Sequence, residues 1–200
     1  MTDIEFFEDT HQYLVNGIVT PSTTQLMHHM PEFMGMYDKV PKRVLMRKAA
    51  YGDRVHELIE ALGENPNAPV EFDLKSFEGI AVRRFLSLAL QHEIQVKSSE
   101  QLIAYIDDGI PLVAGKYDML GEVEGKPALI DIKTTAKYDP QYLSIQLSAY
   151  KVCLEQMTQS EIPSLYCLWL PKKSLGRLIE VDYVPNILEK LRDAKAHIRQ

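Results

Sequence analysis

The sequence predicts an α/β fold in which a mixed central β-sheet is flanked by helices. Apolar residues recur at helical spacing from about residue 41 to residue 91, most clearly at Val55, Leu58, Ile59 and Leu62. The pattern then changes to that of strands over residues 94–133. A helix, two strands and a closing helix follow, and this mixture of elements is typical of helices packed on a sheet.

The first thirty residues predict a hairpin followed by a short helix. Apolar and polar side chains alternate over residues 4–7 and 12–15, and Asn16-Gly17 is typical of a tight turn at the next reversal. Ser22 or Thr23 is expected to cap the short helix.

Two longer helices and a run of strands are predicted next. One helix begins near Pro41 and stops at Gly63, and a second covers about residues 73–91. Three strands are expected at residues 94–105, 112–120 and 128–133, with turns at Asp108-Gly109 and Glu124-Gly125. The remaining elements are a helix at residues 140–156, strands at residues 164–170 and 178–184, and a helix at residues 185–199.

The composition argues against several classes of protein. The chain has 200 residues, which fit one domain, and no apolar run approaches the ~18 residues that cross a bilayer. Its two cysteines, Cys153 and Cys167, are too few for an iron–sulfur cluster or a Cys-rich zinc site. No Gly-x-x-x-x-Gly-Lys-Ser/Thr motif occurs, so no ATP-driven motor is expected. The acidic N-terminus lacks the features of an export signal, and a cytoplasmic location is expected.

Positive charge is concentrated in one segment of an acidic chain. The formal net charge is −6, which argues against a protein that coats nucleic acid nonspecifically. Lys39, Lys42, Arg43, Arg47 and Lys48 nevertheless occur close together with no acidic residue among them. Such a segment suits contact with a phosphate backbone, although a solvated helix face explains it equally well.

Asp131-Ile132-Lys133 is the strongest local indication of chemistry. Alternate residues of a strand point to the same face, so Asp131 and Lys133 are expected to project together, opposite Ile132. An edge strand with a solvated face would also carry such charges. Asp118 is expected at the middle of the neighbouring strand. Two carboxylates from adjacent strands suit Mg²⁺ or Mn²⁺, which can activate water against a phosphodiester while Lys133 stabilises charge on the phosphate.

Other polar residues are placed to support this pair. Glu100 lies in the first predicted strand of the series, and His56 lies beside the apolar stripe of its helix. Taken alone, Glu100 is more readily a surface acid and His56 a satisfied, partly buried histidine. Gln146 and Tyr150 are four residues apart on a helix and share a face, which Tyr142 extends. Alone, that pair is more readily a packed tyrosine and a solvated glutamine.

Taken in order, these residues resemble the PD-(D/E)xK superfamily and, within it, the RecB-family nucleases. The family pattern is Gly-x-x-x-His on a helix, a strand Glu, Gly-x-x-Asp, Asp-x-Lys, and Gln-x-x-x-Tyr on a helix. This chain carries it as Gly52 with His56, Glu100, Gly115 with Asp118, Asp131 with Lys133, and Gln146 with Tyr150. The start of the chain is more loosely similar to the opening of phage exonucleases and of the mitochondrial genome-maintenance exonuclease.

The resemblance implies a restriction-endonuclease-like fold in one domain of residues 1–200. Residues 1–30 would form an N-terminal hairpin and short helix, and residues 41–160 the catalytic core. Tyr117 stands where the family has the proline of its name. The four cysteines of the iron–sulfur members are missing, so no cluster is expected.

The resemblance also implies roles for individual residues. The ligands of Mg²⁺ or Mn²⁺ would be His56, Asp118, Asp131 and the Ile132 carbonyl. Residues with a catalytic or supporting role would be Lys133, Asp118, Asp131, Glu100, Gln146 and Tyr150. DNA phosphates are expected to contact Lys42, Arg43, Arg47 and Lys48.

Three functions stay open at the level of sequence. A phage- or prophage-type DNA exonuclease of recombination, replication or repair is favoured, and a structure-specific or restriction-type endonuclease of the same fold shares its chemistry. A non-catalytic DNA-binding or regulatory module would usually have lost the lysine or a carboxylate, and all are present here. DNA is the expected partner. A single-strand annealing or binding protein and further copies of the chain are candidate partners, and no membrane association is expected.

Overall fold

The computed structural model describes residues 2–36, 38 and 40–198. The strands are β1 (Ile4–Phe7), β2 (Gln12–Val15), β3 (Ile18–Thr20), β4 (Gln95–Ser99), β5 (Leu102–Asp107), β6 (Ile110–Lys116), β7 (Met119–Val123), β8 (Lys126–Lys133), β9 (Ser164–Trp169) and β10 (Arg177–Glu180). The helices are α1 (Thr23–His28), α2 (Lys42–Glu64), α3 (Phe77–Gln91), α4 (Pro140–Thr158) and α5 (Ile187–Ile198).

A five-stranded sheet forms the centre of the fold. Its strand order is β10-β9-β8-β7-β4, with β8 and β9 parallel and the other neighbours antiparallel, so the sheet is mixed as predicted. Apolar residues of α2 and α3 pack on one face, and those of α1, α4 and α5 pack on the other. Because β8 lies between β7 and β9, the interpretation of Asp131 and Lys133 as part of a solvated edge strand is wrong.

Two smaller sheets extend this core on the side of α1 and α4. β1, β2 and β3 form one sheet, and β5 pairs with β6 in the other. They pack together through Tyr13, Val15, Ala104 and Ala114. Ala114 N also donates a hydrogen bond to Pro21 O over 3.0 Å, which ties the entry to α1 to β6.

The three predicted turns are confirmed by their backbone angles. Asn16, Asp108 and Glu124 have φ values of 51°, 48° and 51°, and each is followed by a glycine whose φ is also positive. Two consecutive residues with positive φ are typical of the type I′ turn, whose twist matches that of the strands it joins.

The prediction of single strands at residues 94–105 and 112–120 is wrong, because each is interrupted near its middle. The first divides into β4 and β5 around Glu100, whose φ is 52°, and the second divides into β6 and β7 at Tyr117 and Asp118. The two breaks face each other, since Glu100 N donates to Asp118 O over 3.1 Å and Tyr117 N donates to Gln101 O over 3.2 Å. Asp118 therefore lies at a bend shared by two strands, and not at the middle of a strand as predicted.

Two predicted helix boundaries also differ from the structure. Gly63 does not stop α2, which continues to Glu64. α3 begins at Phe77 because the side chain of Ser76 accepts a hydrogen bond from Gly79 N over 2.9 Å and caps the helix there. The predicted cap of α1 is confirmed at Ser22. None of the described helices is both long enough and apolar enough to span a membrane.

Candidate active site

Asp131 and Lys133 lie side by side on the face of β8 that is covered by α4. Lys133 Nζ donates a hydrogen bond to Asp131 Oδ1 over 2.8 Å and lies 2.6 Å from Oδ2. The Asp131 side chain is 2% exposed and that of Lys133 is 21% exposed. The strand alternation therefore places both charges on one face, with the ammonium group nearer to solvent.

The two groups differ in how burial affects their charge. Burial raises the pKa of Asp131 to about 6, against the lowering influence of the Lys133 ammonium. Burial alone would lower the pKa of Lys133, but the charges of Asp131 and Asp118 outweigh it and hold that pKa above its ordinary value. Lys133 is thus cationic at neutral pH. Oδ2 of Asp131 is buried and, apart from its ion pair with Lys133, accepts no hydrogen bond from the described residues.

Asp118 is held against the end of β8 by the main chain. Ile132 N donates a hydrogen bond to Asp118 Oδ2 over 2.6 Å. The other oxygen, Oδ1, lies 3.6 Å from Nδ1 of His56. The bend between β6 and β7 therefore brings a carboxylate from outside the strands to the level of Ile132.

His56 joins α2 to the same point of β8. Its Nε2 lies 3.0 Å from Ile132 O, and because a carbonyl oxygen only accepts, Nε2 carries the proton. In the neutral imidazole, Nδ1 then has a lone pair and faces Asp118 Oδ1. Two lone-pair atoms that face each other with no proton between them form an arrangement that a cation would stabilise.

Glu100 completes a cluster of candidate ligands. Its carboxylate, that of Asp118 and the imidazole of His56 each offer a ligand atom, and these atoms lie within 4.8 Å of one another. All three side chains are partly buried. Glu100 also forms an ion pair with Lys116. The break between β4 and β5, which interrupts the predicted strand, is therefore also what brings Glu100 to Asp118.

The donor set fits a divalent cation. It combines carboxylate oxygens, the ligand type that suits Mg²⁺ and Mn²⁺, with one imidazole nitrogen, a ligand more typical of transition metals such as Zn²⁺ and Fe²⁺. The structure brings His56, Glu100 and Asp118 together. The ligand set predicted from the sequence also includes Asp131 and the Ile132 carbonyl. Asp131 lies outside this cluster, in its ion pair with Lys133, and the Ile132 carbonyl already accepts a hydrogen bond from His56.

Gln146 and Tyr150 lie on the inner face of α4 and are both 7% exposed. Gln146 Nε2 donates to Tyr150 Oη over 3.2 Å, so the interpretation of Gln146 as a solvated residue is wrong. Burial raises the pKa of Tyr150 well above its ordinary value, and the charges of Asp131 and Asp118 add to this. A Cβ on Gly115 would lie 2.8 Å from Tyr150 Cε1, so the packing of this ring requires glycine.

The basic segment lies on the first two turns of α2. Lys42, Arg43, Arg47 and Lys48 are all exposed, and Arg47 and Lys48 line a cleft that Lys42 and Arg43 do not reach. Lys39, which belongs to the same segment of sequence, lies outside the described residues.

The motifs thus occur in order on a helix, a bent hairpin, a central strand and a second helix. The sequence matches the profile of the PD-(D/E)XK nuclease superfamily over residues 25–200, well over half of its length. The chain belongs to that superfamily. The resemblance found in the sequence is thereby confirmed at the level of the superfamily. No curated protein compared with the chain matches it significantly.

Two solved structures are similar to this PD-(D/E)XK chain. A protein from Eubacterium rectale, described as a "putative exonuclease", is 14% identical with a TM-score of 0.51 over 90% of this chain and 79% of that one. The structure of SSO0001 is 14% identical with a TM-score of 0.39 over 72% of this chain and 74% of that one. The first likeness supports the predicted α/β fold, with its mixed sheet flanked by helices.

The structure adds two charged residues that the PD-(D/E)XK pattern did not single out. Lys116 pairs with Glu100, and Glu60 follows His56 by one turn of α2. Burial raises the pKa of Glu60, and the negative charge of Glu100 raises it further. Both were detectable in principle, because Glu60 is four residues from His56 and Lys116 is two residues from Asp118.

Proposed function

We propose that this chain is a Mg²⁺- or Mn²⁺-dependent deoxyribonuclease that removes nucleotides from the ends of DNA. The observation that carries the proposal is the cluster of His56, Glu100 and Asp118 next to the Asp131–Lys133 pair. Nucleases of the PD-(D/E)XK superfamily use divalent cations, and this donor set suits them. When bound, such a cation supplies Lewis acidity and lowers the pKa of a coordinated water.

The side chains at the site would supply a positive charge for the phosphate and fixed positions for the metal ligands. Lys133 presents a permanent positive charge at the more exposed end of the Asp131–Lys133 pair, where it would stabilise the charge that develops on a phosphate. Asp131 holds that ammonium group through a 2.8 Å hydrogen bond. Asp118 and His56 are fixed by the amide and the carbonyl of Ile132 before any substrate arrives. Groups held in this way need little rearrangement during reaction.

The proposed DNA contacts lie on α2. Lys42, Arg43, Arg47 and Lys48 are exposed and precede His56 on the same helix. We propose that they bind phosphates, which positions the DNA without reading its sequence. Salt should therefore weaken binding to every sequence alike.

The choice of an exonuclease takes its support from the resemblance of the N-terminal residues to phage exonucleases and from the description of the Eubacterium rectale protein. Processing of DNA ends is a step that recombination, replication and repair all use. The residues at the site would serve an endonuclease equally well, because both reactions hydrolyse the same bond.

The test uses end-labelled linear DNA and covalently closed circular DNA, each with Mg²⁺, with Mn²⁺ and with chelator. We expect loss of the linear DNA only, dependence on the cation, and no cleavage by Lys133→Ala. Cleavage of the closed circle would identify an endonuclease. Binding of DNA without cleavage under any of these conditions would identify a non-catalytic module.

A further inference from the structure

A cleft of about 640 Å³ opens beside the ends of β8 and β9. Its described lining includes four cations, Arg47, Lys48, Lys172 and Lys173, and no acidic side chain. The whole chain has a formal net charge of −6, so this concentration of positive charge runs against the composition. Cations gathered in one concave surface attract a polyanion.

Two aromatic side chains also line the cleft beside its cations. Phe77, the first residue of α3, is 53% exposed and lines the cleft. Tyr51 is buried below it and donates its hydroxyl hydrogen to Phe77 O over 3.3 Å. Lys172 Nζ lies 3.5 Å from the ring centroid of Tyr51 and 4.9 Å from that of Phe77. Tyr51 thus holds both Phe77 and Lys172, while the Phe77 ring remains accessible.

The wall of the cleft opposite α2 is formed by the segment after β9, which is anchored to β8 and to α3. Leu170 N donates a hydrogen bond to Lys133 O over 2.7 Å, and Arg84 donates one to Pro171 O over 2.5 Å. These bonds fix the segment directly before Lys172 and Lys173. The two lysines therefore project from an anchored base and not from a free loop.

The cleft lies along α2 from the candidate active site. Lys48, Gly52 and His56 are spaced by four residues and share one face of α2. A Cβ on Gly52 would lie 3.5 Å from Thr134 Oγ1, and Thr134 follows Lys133 and lines the cleft together with Lys48. At 1.5 Å per residue, Lys48 lies about 12 Å along the helix from His56. The cleft thus begins about two helical turns from the cluster of candidate ligands.

We propose that this cleft binds an unpaired segment of the substrate DNA strand, with a base stacked on Phe77 and phosphates on the surrounding cations. The proposal rests on the proposed nuclease function and names the form of DNA that the enzyme holds. A positive groove with an accessible aromatic ring is how proteins bind single strands without sequence preference. Inside a duplex no base can offer its face to Phe77, because each base is stacked between its neighbours, and only the terminal pairs of a linear duplex have an open face.

The test compares the binding of a fluorescent oligothymidylate with that of a fluorescent, relaxed and covalently closed circular duplex, which has no terminal base pairs, both in chelator so that hydrolysis does not interfere. Phe77→Ala should weaken binding of the single strand about 10-fold, the effect of one lost stacking contact, and leave duplex binding unchanged. Leu90→Ala is the matched control, because Leu90 is 84% exposed near the opposite end of α3. Thermal unfolding of each variant establishes that it is folded.

The salt dependence separates stacking from charge. Lys173→Gln should reduce the slope of log affinity against log salt concentration by about 0.7 for the single strand, whereas Phe77→Ala should leave the slope unchanged. Lys126→Gln, at the other end of β8, should leave both slope and affinity unchanged. A Phe77→Ala variant that binds both DNAs as the wild type does, or that loses affinity for both equally, would overturn the proposal.

Cleavage assays on the same preparations distinguish this proposal from the proposed function. If the wild type degrades DNA while Phe77→Ala binds the single strand normally, the nuclease function stands and the cleft proposal fails. If the single strand binds through Phe77 while no cation supports cleavage, the binding site stands and the nuclease function fails.

Discussion

Ile132 N donates a hydrogen bond to Asp118 Oδ2 over 2.6 Å, so the main chain of the central strand fixes one of the candidate metal ligands. The carbonyl of the same residue accepts a hydrogen bond from His56 Nε2 over 3.0 Å. The Ile132 side chain is buried on the opposite face of the sheet, among residues of α2 and α3. The middle residue of Asp-x-Lys therefore positions two other residues of the site through its backbone alone.

We expect Mn²⁺ or Mg²⁺ to raise the thermal unfolding temperature of the protein. A ligand that binds only the folded state stabilises it by about 2.7 kcal/mol at one hundred times its Kd. For a chain of this size, each kcal/mol corresponds to about 2–4 °C. Asp118→Asn replaces a charged carboxylate by a neutral amide and His56→Ala removes an imidazole nitrogen, so both should lose most of this shift, whereas Tyr150→Phe should retain it.

Thermal scans of the four proteins with the cation and with chelator provide the measurement. Glu124→Gln is a control that removes a carboxylate in the exposed turn after β7, at the end of that strand away from Asp118. A full shift in Asp118→Asn would place the cation at another site.

The local part of the site was predictable because short-range periodicity determines it. Alternation along a strand placed Asp131 and Lys133 together, and the four-residue spacing on a helix placed Gln146 beside Tyr150. The break at Glu100 was not predictable in this way. A glutamate with φ of 52° is unfavourable by itself, and here its amide is bonded to Asp118 O on a different strand.

The cleft could not be predicted from local sequence patterns either, because residues distant in sequence form it. Phe77 and Lys172 are separated by nearly one hundred residues, and they meet because α3 and the segment after β9 pack on the same side of the sheet. The charge of Lys172 was visible in the sequence, but its aromatic neighbours were not. Phe77 is the first residue of α3 because the Ser76 cap starts the helix four residues later than predicted.

Loss of the Lys133 charge should abolish most of the activity without unfolding the protein. We expect Lys133→Met to lower the rate of phosphodiester cleavage about 10²–10³-fold, the range for loss of one group that stabilises transition-state charge. Asp131→Asn should also inactivate, and the double variant should lose little more than either single variant, because the two side chains act as a unit. Single-turnover cleavage provides the rates. Lys126→Met, on the same strand, should cleave normally.

The buried Asp131 should destabilise the metal-free protein as pH rises. Its pKa is raised by burial to about 6, above the value of an unfolded chain, so the folded state holds a proton that the unfolded state has already lost. Between about pH 4 and pH 6, each rise in pH therefore stabilises the unfolded chain relative to the folded protein, and the free energy of unfolding falls. Relative to Asp131→Asn, the free energy of unfolding of the wild type in chelator should decrease from about pH 4 to pH 6. Denaturant titrations measure this difference, and an increase would contradict it.

Gly115 and Gly52 should respond in opposite ways to the same substitution. A Cβ on Gly115 would lie 2.8 Å from Tyr150 Cε1, so Gly115→Ala must displace a buried ring and should destabilise the protein by about 1–3 kcal/mol. The nearest atom to a Cβ on Gly52 is 3.5 Å away, an ordinary contact, and Gly52 lies inside α2. Gly52→Ala should therefore be neutral or stabilising by up to about 1 kcal/mol.

Tyr150→Leu should cost less in the Gly115→Ala background than in the wild type, because the collision is then relieved. Denaturant unfolding of the four variants measures these differences, and equal costs of Tyr150→Leu in both backgrounds would show that Gly115 and Tyr150 are not coupled.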